Sequence, residues 1–292
     1  MKTNVSKRIV ALLLTLVMVL SLVPVVFAGE VRDVEQDLVG KTVILHTNDT
    51  HGALLGFAQV AKVKKDFEAR GAKVILVDAG DFSQGTTYVS TSKGETAITV
   101  MDAAGYDYVT LGNHEFDFGY AQLKANLDKT EKFRAICADV LLKADGSSAF
   151  APYAIETVDG MTIGIFGMET PETLTKVNPG LIQEITFPQG EELYAIAQAQ
   201  VNALRNEEHA DLVIGLVHLG VDDESIPNRS IDLYEHVTGI DFLIDGHSHT
   251  VMTEGPNGEP IQSTGTKASK TAFMNVATSR STTRPSRSKR TS

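Results

Sequence analysis

Side chains that can bind a metal ion or move a proton stand at the ends of five apolar runs. "HTNDTHG" holds Asp49 and His51, and "VDAGDFSQG" holds Asp81. "LGNHEFD" holds Asn113, His114, Glu115 and Asp117. "GLVHLG" ends on His218, and "DGHSHT" carries His247 and His249. Turns favour Gly, Asn and Asp for backbone reasons, but they have no use for histidine. Taken singly, D-x-H or H-S-H is compatible with an ordinary loop; five such exits in one chain point to a metal site. Carboxylate and imidazole together suit divalent Zn, Mn, Fe or Co. Asp49, His51, Asp81, Asn113, His218, His247 and His249 suffice for two ions about 3.5–4 Å apart with one carboxylate shared. Two divalent ions set against Asp49, Asp81 and a hydroxide leave the site positive, which favours an anionic phosphoryl group. A carboxylate in place of Asn113 would cancel that charge.

Convergence of these residues requires elements that deliver them to one place. Between Thr42 and Thr264, apolar runs such as "TVILHTND", "AKVILVDAGD", "YDYVTLGN", "FRAICADV", "TIGIFGME", "ADLVIGLVH" and "IDFLIDGH" read as buried strands. Helix-like stretches at Phe57–Arg70 and Glu191–Glu208 alternate with them. Asp159-Gly160 predicts a hairpin turn within "YAIETVDGMTIGIFG". The pattern predicts an α/β domain with a mixed sheet, and strands leaving one sheet edge would pool their exits in one crevice.

Charge divides the chain. Of 26 basic residues, three lie in residues 1–28 and seven in residues 267–292, while all 37 acidic residues lie between. So acidic a body disfavours a nucleic-acid polymer and leaves a small phosphorylated substrate open. Residues 1–28 open with Lys2, Lys7 and Arg8 and continue through "IVALLLTLVMVL" to Ala28. They read as a signal peptide cleaved after Ala28, so export without a lasting membrane span is expected. Residues 29–41 read as a linker and 42–266 as the catalytic domain. Residues 267–292, rich in Ser, Thr, Lys and Arg, are expected to be an aberrant terminus without ordered structure. Cys137 is the single cysteine and reads as a buried small apolar residue. His46 reads as a core or supporting residue, His209 and His236 as surface residues, and Glu115 as a structural hydrogen-bonding group.

D-x-H, G-D, G-N-H-E, G-x-V-H and G-H-S-H in this order resemble the calcineurin-like metallophosphoesterases. Within them, "ILHTNDTHG", "VDAGDFSQGT", "LGNHEFDFG" and "IDGHSHT" are similar to the exported 5′-nucleotidase, 2′,3′-cyclic phosphodiesterase and UDP-sugar hydrolase family. The resemblance spans residues 42–266. It implies a β-sandwich of mixed sheets flanked by helices, four layers deep (αββα). It implies one ion on Asp49, His51 and His249, a second on Asn113, His218 and His247, and Asp81 bridging them. His114 would face the scissile phosphate together with Asn113, and Asp117 would orient His114. The implied reaction is in-line attack of a metal-bridging hydroxide on a phosphomonoester. Some members carry Gln where His249 stands.

Family members continue for a few hundred residues into a second domain that recognises the nucleoside. That region has no counterpart in this sequence, so weak nucleotide recognition is expected. Missing closing strands and an exposed sheet edge are expected as well. Two other readings are a cyclic phosphodiesterase, UDP-sugar or sulfur-ester hydrolase on the same scaffold, and a metal-binding fragment without activity.

Overall fold

The structure is a computed structural model; it describes residues 37–265 and the backbone of residues 272–277. The expected signal peptide and most of the basic tail lie outside the described residues. Two sheets stack face to face. The first has the order β13-β1-β2-β3-β4. Its strands are β1 (Lys41–Thr47), β2 (Lys73–Asp78), β3 (Tyr108–Val109), β4 (Arg134–Ala135) and β13 (Ala272–Ala277). The second has the order β11-β12-β10-β9-β7-β6. It comprises β6 (Tyr153–Val158), β7 (Met161–Glu169), β9 (Leu212–His218), β10 (Phe242–Ile244), β11 (Val251–Met252) and β12 (Ile261–Thr264). A short antiparallel ribbon joins β5 (Leu141–Leu142) to β8 (Ile185–Thr186).

Strand alternation sorts the side chains into layers, because successive residues point to opposite faces. In β1, Ile44 joins Ile75, Ile165, Ile214 and Ile244 in a core between the sheets. Its neighbours Val43 and Leu45 pack on the other face, in a core shared with Phe57, Ile98 and Met101. Phe57 comes from helix α1 (Leu54–Ala69). After the short helix α2 (Thr87–Thr91), α3 (Glu95–Ala104) supplies Ile98 and Met101. In β9, Ile214 and Leu216 face inward, while Val213 and Val217 face a third core. Helices α4 (Tyr120–Leu127) and α5 (Thr173–Lys176) follow α3 in the chain. The third core is closed by α6 (Glu191–Asn202) and α7 (Ser230–His236). The result is the expected order of helix, sheet, sheet, helix. Strands with both faces covered need no polar alternation, hence the continuous apolar runs.

The hairpin forms as expected, with Val158 opposite Met161 across Asp159-Gly160. The stretch predicted as one helix over Glu191–Glu208 instead leaves α geometry for a π turn at Ala203–Glu207. One expectation is corrected. The β1 edge expected to be open is paired antiparallel with β13, from Lys41 opposite Ala277 to His46 opposite Ala272. The six residues "AFMNVA", apolar except for Asn275, form a short run inside the basic segment. An unpaired edge offers a row of N–H and C=O groups that such a run can satisfy.

A few residues past β4, Asp139 is fully buried and both of its carboxylate oxygens accept the Glu169 N–H, at 2.9 and 3.2 Å. Burial pushes its carboxyl up to about 7 from an ordinary 3.8. A carboxyl raised in the folded state adds stability below its unfolded pKa, and that stability is lost as pH rises towards 7. Asp139→Asn is neutral throughout and should therefore gain on the wild type between about pH 4 and 7. At roughly 1.4 kcal/mol for every pH unit crossed in that window, the gain is on the order of a few kcal/mol. Urea unfolding of both chains without metal, at pH 4.5 and 7.5, checks this; a difference independent of pH contradicts it.

Candidate metal and phosphate site

In open α/β sheets the carboxyl ends of parallel strands face one crevice. Here β1, β2 and β3 are parallel in the first sheet, and β9 and β10 in the second. Their exits carry Asp49 and His51, Asp81, Asn113–Asp117, His218, and His247 with His249 respectively. The loops lace into one another. Asp49 N donates to Gly80 O and His51 N to Asp81 O, both at 2.9 Å. His114 N donates to Asp81 Oδ1 at 3.0 Å and His247 N to Asp49 Oδ1 at 3.1 Å. Asp49, His51, Asp81, His247 and His249 all adopt positive φ, between 45° and 74°. This left-handed region is uncommon for residues bearing a Cβ, and each costs on the order of 1–3 kcal/mol. Strain concentrated on candidate ligands is the signature of a functional loop set.

Ligand atoms of Asp49, His51, Asp81 and His249 lie within 4.8 Å of one another, and so do those of Asp81, His218 and His247. Asp81 belongs to both groups. In the first, His51 Nε2 and His249 Nε2 approach to 3.0 Å, and His249 Nε2 is 3.5 Å from Asp49 Oδ1. In the second, His218 Nε2 is 3.2 Å from Asp81 Oδ2. Burial pushes Asp49 up to about 7 and His51 down to about 4, and it lowers His249 as well. The two histidines are thus neutral at physiological pH, the form that ligates metals. Burial opposes the Asp81–His218 pair, but mutual attraction prevails and holds Asp81 low and His218 high.

The residues fit a pair of cations. Asn113 Oδ1 is buried without a hydrogen-bond partner, a costly state that a metal ion would relieve, and His218 Nε2 has no partner there but the Asp81 carboxylate. The backbone makes room for close approach. A Cβ on Gly112 would lie 2.3 Å from Asp81 Oδ1 and 2.7 Å from His218 Nε2. A Cβ on Gly246 would lie 2.8 Å from His218 Nδ1 and 3.1 Å from Asp49 Oδ2. Asn113 follows the first of these glycines directly.

His114 stands beside the two groups and outside both. Its ring meets that of His51 edge-on at 5.2 Å, and about a third of its side chain is exposed. Nδ1 is 2.7 Å from Asp117 Oδ2, three residues on in the turn that begins with the Asn113–Phe116 3₁₀ helix. That hydrogen bond raises the His114 pKa. With Nδ1 engaged, Nε2 is the nitrogen left for a substrate.

Glu115 plays the structural role expected of it, accepting N–H bonds from Asp81, Phe82, Ser83 and Gly112 at 2.7–2.9 Å. His46 is buried with Nε2 3.4 Å from Gln262 Oε1. His236 stacks on Tyr194 at 4.3 Å, His209 is exposed, and Cys137 is buried. Three supporting residues are additional to those expected from the sequence. Asn48 donates to Asp49 Oδ2 at 2.6 Å and accepts from Thr264 N, tying β12 to the first group. Asp245 Oδ1 accepts from the backbone of Leu219, Gly220 and Gly246, joining the β9 and β10 exits. Glu172 Oε2 lies 3.1 Å from His247 Nε2. The only signal for Asn48 and Asp245 was their place beside motif residues; Glu172 carried none.

Beyond His51, a groove of about 440 Å³ is lined by Gly52, Ala53, Leu54, Leu55, Thr86 and Tyr88. Leu55 and Tyr88 are exposed there. Among the described residues, no helix is long and apolar enough to cross a membrane.

The family described as calcineurin-like phosphoesterase matches residues 42–251. A 5′-nucleotidase of Vibrio cholerae is 32% identical over 243 residues, which cover 76% of this chain and 43% of the relative. The trifunctional nucleotide phosphoesterase YfkN of Bacillus subtilis is 29% identical over 252 residues, 75% of this chain and 16% of the relative. The crystal structure of the calcineurin-like phosphoesterase YfkN from Bacillus subtilis superposes with a TM-score of 0.69 at 22% identity. That match covers 81% of this chain and 84% of the solved one, and it speaks to the fold. The chain thus spans less than half the length of these two curated relatives.

Proposed function

Since the chain belongs to the calcineurin-like phosphoesterase family, we propose that it is an exported, metal-dependent hydrolase of nucleotide-type phosphomonoesters. Asp49, His51 and His249 hold one divalent ion in this reading, Asn113, His218 and His247 a second, with Asp81 between them. The observation that carries it is the sharing of Asp81 by two ligand groups beside a histidine that belongs to neither. When bound, the two ions supply Lewis acidity to the phosphoryl oxygens and lower the pKa of an attacking water. Asn113 and His114 receive the phosphate. His114, oriented by Asp117, delivers a proton from Nε2 to the departing ester oxygen as the P–O bond breaks. Water oxygen ends on phosphate, and the organic part leaves as an alcohol. The Leu55–Tyr88 groove gives that organic part an apolar surface next to His51. The charged and then apolar opening of residues 1–28 supports export.

Substrate choice tests the reading. Mn-loaded protein should release p-nitrophenol from p-nitrophenyl phosphate, act more slowly on the bis-p-nitrophenyl diester, and hydrolyse AMP with a high KM. The weak AMP binding follows from a groove that offers apolar contact and few polar partners for a nucleoside. Faster turnover of the diester would favour the cyclic phosphodiesterase reading. No turnover with two ions bound would favour a silent metal-binding chain.

A further inference from the structure

Glu172 is a carboxylate at the site that neither ligand group includes. It lies just past the end of β7, on the segment "TPET" that enters α5. Its Oε2 is 3.1 Å from His247 Nε2 and 3.1 Å from Lys176 Nζ, and Ser225 Oγ donates to Oε1 at 2.5 Å. Donors from three separate segments therefore fix this carboxylate. An ionised carboxylate only accepts, so His247 must carry its hydrogen on Nε2 to make the contact. The same imidazole is held elsewhere as well. Its backbone N–H donates to Asp49 Oδ1, and the ring packs so closely over Gly220 that a Cβ there would lie 3.2 Å from Cδ2.

We infer that Glu172 is a positioning residue, which locks His247 as its Nε2–H tautomer and presents Nδ1 to Asp81 and His218. The neighbouring histidine is set the opposite way. His218 Nδ1 lies 2.6 Å from the Ala79 carbonyl, which can only accept, so when the ring gives up a proton to ligate, the lone pair appears on Nε2, the atom facing Asp81. One group is thus served by two histidines through different ring nitrogens, each fixed by an acceptor on its other nitrogen. A carboxylate behind a ligating histidine orients the ring and raises its basicity, and losing such a partner typically weakens metal binding about 10–100-fold. The effect falls on one ion only, because Asp49, His51 and His249 belong to the other group and His247 does not.

The inference rests on the metal reading above, and its test separates the two. Nitrogen-15 NMR of the metal-free full chain reports the His247 tautomer without reference to metal or turnover. Wild type should show the Nε2–H form; Glu172→Ala should show a mixture or the Nδ1–H form. Glu172→Gln keeps a carbonyl acceptor and should retain the wild-type tautomer, and Ser225→Ala, which touches only Oε1, should retain it too. Equilibrium dialysis with Mn²⁺ should then show one of two binding steps about 10–100-fold weaker in Glu172→Ala, with the other unchanged. A Glu172→Ala chain that only loses thermal stability, with tautomer and both binding steps as in wild type, overturns the inference. A wild type that takes up no metal yet shows the locked tautomer sinks the phosphoesterase reading and leaves the positioning role standing.

Discussion

Asp81→Ala is expected to lose both metal ions and all measurable turnover, the largest effect of any single substitution in this chain. Asp81 is the one residue common to both ligand groups. Its carboxylate also accepts the His114 N–H and faces His218 Nε2 at 3.2 Å. On the proposed two-ion reading, removing it deletes a ligand from each ion, and it leaves the positive tendency of His218 without its partner. The loss in metal affinity should exceed the roughly 10–100-fold that follows removal of an outer partner. Asp81→Asn keeps the shape and one oxygen but not the charge, and it should fall between. Metal content after dialysis, measured beside far-ultraviolet circular dichroism, separates this from unfolding. Near-normal metal content in a folded Asp81→Ala chain contradicts the shared-ligand assignment.

His114→Ala is expected to do the reverse: metal content stays at the wild-type level while kcat falls by roughly 10²–10⁴, the usual worth of a positioned proton donor. The geometry makes that separation sharp. His114 lies outside both ligand groups, is a third exposed, and is tied by Nδ1 to Asp117. Asp117→Asn should give a smaller drop in kcat of the same kind, since the imidazole stays but its orientation and raised pKa are lost. KM for p-nitrophenyl phosphate should move less than kcat in both variants. A His114→Ala chain with full turnover would remove this residue from the chemistry; one that lost metal would make it a ligand.

These two residues also mark how far the sequence could be read. The polar residues were legible because each follows an apolar run, and parallel strands bring such exits together regardless of the distance along the chain. Asp117 was legible through the resemblance, which pairs it with His114 three positions earlier. Glu172 was not, since it reaches His247 across 75 positions and follows a strand whose exit has no motif. Asn48 could be seen only as a neighbour of Asp49; its bonds to Thr264 and Gly265 cross the whole domain. The strand β13 was hidden by its setting, a largely apolar hexamer between basic residues, where composition outweighed local pattern. The groove of Leu55 and Tyr88 draws on two different exits and needs the folded chain to exist at all.

Stepwise metal titration of the metal-free wild-type chain, with p-nitrophenyl phosphate turnover followed at each addition, tests the central claim most directly. Two ions held by groups that share Asp81 predict turnover that climbs with added Mn²⁺, levels off near two equivalents, and is abolished by a chelator. Saturation at one equivalent, or turnover indifferent to the chelator, would contradict a paired site.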